Sequence, residues 1–222
     1  MEINSFLDFS HHFSRVVHSL FAFNPKGETC FSIAKKIGFS PESIVAPQQI
    51  HSTGVKWVET PGEYSGIDGI ITSKTNLILS LKVADCVPVY FFEPQKNIVG
   101  LVHSGWRGTV GGIISNSIEL MQKKGADKGK ILIYMGPAIG NCCYEVDADV
   151  ADSFNNEAKL EIDDRKWKVD LHKQILLQII ELGIPTANIQ TSEICTFESD
   201  KCHSYRRDGS DAGRMYAYMG MK

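Results

Sequence analysis

Short apolar runs, rich in β-branched and aromatic residues and bounded by turn formers, fill the middle of this chain and predict strands. They cover residues 67–73 (IDGIITS), 77–83 (LILSLKV), 87–92 (VPVYFF), 98–102 (IVGLV) and 130–135 (KILIYM). Two other stretches change period from two to between three and four. Val110, Ile113, Ile114, Ser117 and Met121 form one helical stripe, which Gly125 ends just after Lys123 and Lys124. Leu171, Ile175, Leu176 and Ile179 form the other, with Asp170 as N-cap and Gly183 and Pro185 as the stop. Strands dominate and the helices interrupt them irregularly, so the pattern predicts mixed sheets in an α+β fold rather than one helix per strand. No repeat, low-complexity tract or linker divides residues 1–222, which are expected to form one domain.

Composition narrows the partners. Apolar residues make up 43 % and charged residues 22 %, with a net charge of −3 and no basic stripe, which argues against nucleic acid and anionic membrane surfaces. No window is apolar enough to span a bilayer, and the first twenty residues lack the pattern of a signal peptide. The cytoplasm is therefore the expected compartment. There the six cysteines are expected as thiols or ligands rather than as a disulfide framework.

The chemistry concentrates where apolar runs meet loops. His51 in PQQIHS, Cys86 in VADCVPV and His103 in LVHSGWRGT each stand at such a junction. Two imidazoles and a thiolate are the three-ligand set that leaves a tetrahedral zinc one open position. The same residues also fit a cysteine nucleophile with a histidine base. Thr109 is a candidate cap for the helix expected near Val110, and Arg107 a candidate anion ligand. Asp85 and Asp68 are alternative proton carriers or orienters of a histidine. In GPAIGNCCYEV, Asn141 and the adjacent Cys142 and Cys143 belong either to a pocket-lining loop or to a plain turn with two buried thiols. Arg206 and Arg207 in the C-terminal YRRDG either bind an anion or hold the chain end. No second metal site is expected from Cys195, Cys202 and His203, because no CxxC knuckle is present.

QIHS, DGIIT, ADCVPV, VHSGWRGT, GPAIGNCCYEV, WKVDL, CTF and HSYRRDG…GRM, in that order between residues 47 and 216, resemble the YfiH-like laccase-domain family. That family is also called multicopper polyphenol oxidase or peptidoglycan editing factor. The resemblance implies a YfiH-like fold, a single domain of mixed β-sheets surrounded by helices. It places the family's metal ligands on His51, Cys86 and His103. It also implies a zinc-dependent enzyme acting on small molecules, by phosphorolysis of adenosine, inosine and methylthioadenosine and by deamination of adenosine. On that reading Cys86, His103, His51 and Asp85 serve catalysis, and Arg107, Arg206 and Asn141 contact the purine nucleoside and phosphate. The alternatives are editing of cell-wall precursors and a metal-free hydrolase using Cys86 and His103. The chain departs from the family at HHFSRVVHSLFAFN, where the usual Gly-Gly turn is missing and Arg15 matches the usual arginine only loosely. A true laccase is not expected, because seven histidines without any H-x-H pair cannot furnish the imidazoles of a copper cluster.

Overall fold

Two adjacent strands, Val87–Glu93 and Ile98–Ser104, are buried along their whole length, which explains why both read as unbroken apolar runs. They pair antiparallel, with Pro88 opposite His103 and Val89 opposite Val102. Their side chains alternate between two cores. Val87, Val89, Phe91 and Val102 face one core, and Tyr90, Phe92, Val99 and Leu101 face the other. A computed structural model describes residues 6–14, 16–23 and 30–222 of the chain. Arg15 and Asn24 of the divergent N-terminal segment lie outside the described residues.

In chain order the described strands begin with β1 (Phe6–Asp8), β2 (Val17–Ala22), β3 (Ile44–Gln48), β4 (Val55–Trp57) and β5 (Gly62–Ser65). The central ones are β6 (Gly69–Thr72), β7 (Ile78–Val83), β8 (Val87–Glu93), β9 (Ile98–Ser104) and β10 (Leu132–Met135). Then come β11 (Glu145–Asp147), β12 (Lys159–Asp163), β13 (Lys166–Val169), β14 (Ile189–Thr191) and β15 (Met215–Met221). The helices are α1 (Cys30–Lys36), α2 (Trp106–Val110), α3 (Ile113–Lys123), α4 (Ala148–Ala151), α5 (Leu171–Glu181) and α6 (Tyr205–Asp208).

One mixed sheet runs β1-β2-β15-β7-β3-β5, a second β14-β10-β8-β9-β6-β4, and a small third β11-β13-β12. The two large sheets pack face to face, with Leu79, Leu81, Ala217 and Met219 of the first against Tyr90, Phe92 and Leu101 of the second. Helices cover the outer faces. Ile113, Ile114, Ile118 and Met121 of α3 and Ile175 and Ile179 of α5 close the second sheet, while Ile33 and Ala34 of α1 close the first. The expected α+β class with mixed sheets and surrounding helices is the one observed, and all five expected strands are present.

The helices refine the expectation. Asp170 caps α5 by accepting from the Lys173 N–H, and Gly183 follows the helix with φ +82°. Around Val110 the prediction needs correcting. Helix begins at Trp106 with Gly105 as N-cap, and Gly112 at φ +90° breaks α2 from α3. Thr109 is therefore no cap. It is buried inside α2, where its hydroxyl donates to the Gly105 carbonyl and pairs with Ser104.

Candidate metal centre

Three loops meet where the second sheet ends. The turn between β7 and β8 carries Asp85 at φ +82°, which swings Cys86 onto the start of β8. His103 lies three residues before the start of α2 on the neighbouring β9, and the loop after β3 brings His51 in at φ +59°. Such left-handed backbone at non-glycine residues persists only where the surroundings enforce it.

Asp68 does the enforcing for His51 and His103 together. Wholly buried, it accepts from the backbone N–H groups of Ile50, His51 and Ser52, the last at 2.6 Å, and from the Ser52 hydroxyl at 2.8 Å. Its Oδ1 also meets His103 Nδ1 at 2.8 Å. With Nδ1–H given to the carboxylate, Nε2 is the nitrogen that His103, once it gives up its second proton, would turn to an ion. Ligand atoms of His51, Cys86 and His103 all lie within 4.8 Å of one another, and the two imidazole rings stand 4.8 Å apart at 75°. Gly105 lets them close in. A Cβ there would sit 2.9 Å from Cys86 Sγ and 3.0 Å from His51 Cδ2.

Electrostatics tie the same groups together. Burial pushes the Cys86 thiol up, but the charges and hydrogen bonds of His103 and His51 outweigh it and bring it down to about 6. Burial pushes His103 down, yet the Cys86 thiolate and the Asp68 carboxylate raise it to about 9. Burial works against the Asp68 charge as well, and the donors from His103 and Ser52 draw its carboxyl to about 2. Two nitrogens, one thiolate and a carboxylate fixing a ligand ring are a donor set and support suited to a transition-metal ion.

Cys86 opens into a cavity of about 260 Å³ walled by Trp106, Tyr144, Tyr205, Ile139 and Leu171. His51, Arg107 and Tyr205 also border a larger groove of about 1010 Å³ that reaches Lys82, Arg214 and Tyr216. The Arg107 guanidinium lies over Trp106 at 4.5 Å and that of Arg206 over Tyr144 at 5.0 Å, so two cations rim the small cavity.

The other expected site residues separate. Of the two aspartates, Asp68 reaches His103. Asp85 lines the cavity, but its oxygens are occupied by the hydroxyls of Thr196 (2.6 Å) and Ser204 (3.0 Å) and by the Arg206 N–H (2.7 Å). The two adjacent arginines part company as well. Arg206 faces the cavity, while Arg207 spends its guanidinium on the carbonyls of Thr196, Phe197, Ser199 and Cys202 and on Asp208. Asn141 is not among the residues lining the Cys86 cavity and borders another of about 250 Å³ with Lys159 and Asp170. Tyr144 belongs to the GPAIGNCCYEV segment that the sequence offered as a pocket-lining loop, whereas nothing pointed to Trp106 and Tyr205 as walls, since aromatic residues next to glycines and arginines read equally as packing.

The family model described as multi-copper polyphenol oxidoreductase laccase matches residues 28–222. The chain belongs to that family. It is 35 % identical over 209 residues to the purine nucleoside phosphorylase YlmD of Geobacillus stearothermophilus, covering 86 % of this chain and 76 % of that protein. It is also 30 % identical over 204 residues to adenosine deaminase RL5 from an unknown prokaryotic organism, covering 83 % and 78 %. The crystal structure of YlmD from Geobacillus stearothermophilus superposes with a TM-score of 0.91 at 29 % identity, over 100 % of this chain and 98 % of that one. YfiH of Bacillus licheniformis gives 0.84 at 28 %, over 93 % of both chains. The described residues bring together one histidine-bearing donor group, not the several that a multicopper cluster needs. Of the seven histidines, all among the described residues, only His51 and His103 join a group able to hold an ion.

Proposed function

We propose that this protein is a zinc-dependent purine nucleoside enzyme that cleaves adenosine, inosine and methylthioadenosine with phosphate and deaminates adenosine. One observation carries the reading. The His51, Cys86 and His103 donors converge at a cavity that combines aromatic walls with two arginines. Relatives named purine nucleoside phosphorylase and adenosine deaminase support it. His51, Cys86 and His103 would hold the ion. When bound, zinc supplies a Lewis acid at the cavity with one position left open.

The chain's own residues do the rest. Trp106, Tyr144 and Tyr205 line the cavity and would hold a purine by aromatic contact. Arg107 and Arg206 bind phosphate and orient one of its oxygens toward the ribose C1′ as the purine leaves. Asp68 keeps the proton on His103 Nδ1, so Nε2 is the atom that would ligate. Asp85 acts as a positioning residue, tying the 192–206 segment, and with it Arg206, to the Cys86 turn.

Chromatography of adenosine incubated with zinc-loaded protein tests this. Inosine is expected without phosphate, and adenine with ribose 1-phosphate once phosphate is added. Absence of all these products overturns the proposal.

A second reading follows from the Asp68–His103–Cys86 alignment, which is also that of a metal-free cysteine hydrolase. Near-stoichiometric zinc that is lost in Cys86→Ala argues for the first reading. Metal-free protein that stays active and is trapped by iodoacetamide argues for the second.

A further inference from the structure

Away from the His51–Cys86–His103 trio, a second set of donors comes together on the other side of the loop at 136–144. Cys142 Sγ lies 3.6 Å from Cys195 Sγ, across a sequence gap of more than fifty residues, and 3.2 Å from the adjacent Cys143 Sγ. Ligand atoms of Cys142, Cys143, Cys195 and Glu198 all fall within 4.8 Å of one another. These separations approach those of thiolates around one tetrahedral ion, since zinc–sulfur bonds of about 2.3 Å imply sulfurs about 3.8 Å apart. The backbone also serves the cluster. The Gly140 N–H donates to Cys195 Sγ at 3.3 Å. Gly140 has no Cβ to fill the space, where one would lie 3.1 Å from Cys142 Sγ and 3.5 Å from Cys195 Sγ.

We propose that Cys142, Cys143, Cys195 and Glu198 form a second metal site, structural in role, that binds a thiophilic divalent cation such as zinc through three sulfurs and one carboxylate oxygen. A single disulfide would leave one of the three thiols stranded, whereas one ion uses all of them and neutralises the charge they gather. Four protein ligands close the coordination shell, which is the mark of a structural site.

The site would staple two segments already joined by the Ala138–Cys195 bridge and by the Thr196 N–H to the Ala138 carbonyl at 2.9 Å. Both segments end on Asp85. The Ile139 N–H donates to its carbonyl at 3.0 Å and the Thr196 hydroxyl to its carboxylate. The ion would thus brace the wall of the Cys86 cavity that carries Ile139 and Tyr144.

The test uses the full chain, stripped with a chelator under reducing conditions, reloaded with Zn(II), desalted and assayed for metal. Two ions per chain are expected in the unsubstituted protein, one in Cys86→Ala, one in Cys195→Ser and none in the double variant. Cys142→Ser, at an exposed position, serves if Cys195→Ser does not fold, and it should give up the second ion to chelator first. Cadmium-113 resonance of the Cd(II)-loaded protein gives an independent readout without substitution. Two signals are expected, one shifted toward the thiolate-rich end. A single ion abolished entirely by Cys86→Ala overturns the proposal, as does a Cys142–Cys195 disulfide whose reduction restores no second ion. Because metal is counted rather than turnover, failure here leaves the nucleoside reading untouched, and the reverse also holds.

Discussion

Asp68 shows how much one buried carboxylate can organise. It holds the His51 loop by three backbone N–H groups and the His103 ring by one contact of 2.8 Å. Asp68→Asn keeps the shape but offers one acceptor oxygen in place of two. Metal affinity should fall about 10- to 100-fold, as for other partners of ligating histidines, and stability by roughly 1–3 kcal/mol. Chelator competition and thermal unfolding check the two effects. Protonation adds a second expectation for the metal-free protein. With Cys86 drawn to about 6, its alkylation by iodoacetamide should rise through pH 6 rather than near the usual 9. The lowered Cys86 value contributes stability that is complete above about 9 and lost as pH falls through 6. The raised His103 value contributes stability that is complete below about 6.5 and lost as pH rises through 9. The two slopes oppose each other between those limits, because folding merely moves a proton from sulfur to imidazole. Asp68 does produce a slope. Its lowered value stabilises above about 3.8 and is lost toward 2, so chemical denaturation midpoints should drop over that acid range.

Among the elements, the link from β9 through Gly105 into α2 is the tightest. Gly105 has ordinary extended angles, φ −76° and ψ 170°, so alanine is tolerated by its backbone. The added methyl would nevertheless press on Cys86 and His51. Gly105→Ala should therefore keep the fold, as circular dichroism would report, and lose zinc affinity by about tenfold or more, the lower range for disturbed ligand orientation. Helix α5 gives a contrasting case, since its cap ligates no ion. Asp170→Ala removes an N-cap and should cost about 1 kcal/mol in thermal unfolding with zinc content unchanged.

At the scale of the molecule, two stacked sheets form a rigid block and the loops at one end of the second sheet carry the site, which is where segments from distant parts of the chain can meet. That arrangement separates the two proposed reactions. Arg107→Ala removes a cation from the cavity rim and should raise the KM for phosphate by roughly 10-fold or more, the worth of a charge-assisted hydrogen bond, while adenosine deamination changes far less. Steady-state kinetics with phosphate varied at fixed adenosine reads the difference. Equal loss in both reactions would assign Arg107 to the fold instead. No helix of the described residues is long and apolar enough to cross a membrane.

Hydrophobic periodicity alone determined the strands β6 to β10, helix α5 with its Asp170 cap, and the α+β class, because burial on one or both faces imprints a local period on the residues. Run-to-loop junctions singled out His51, Cys86 and His103, since a side chain at a strand end is free to leave the core. Tertiary structure decided everything that depends on distance through space. It chose Asp68 over Asp85 as the partner of His103, separated Arg206 from Arg207, and set Asn141 in another cavity. It also placed Cys195 beside Cys142 and Cys143 rather than beside Cys202 and His203. A buried carboxylate or a thiol carries no periodic signature, and its role is fixed by which donors the folded loops aim at it.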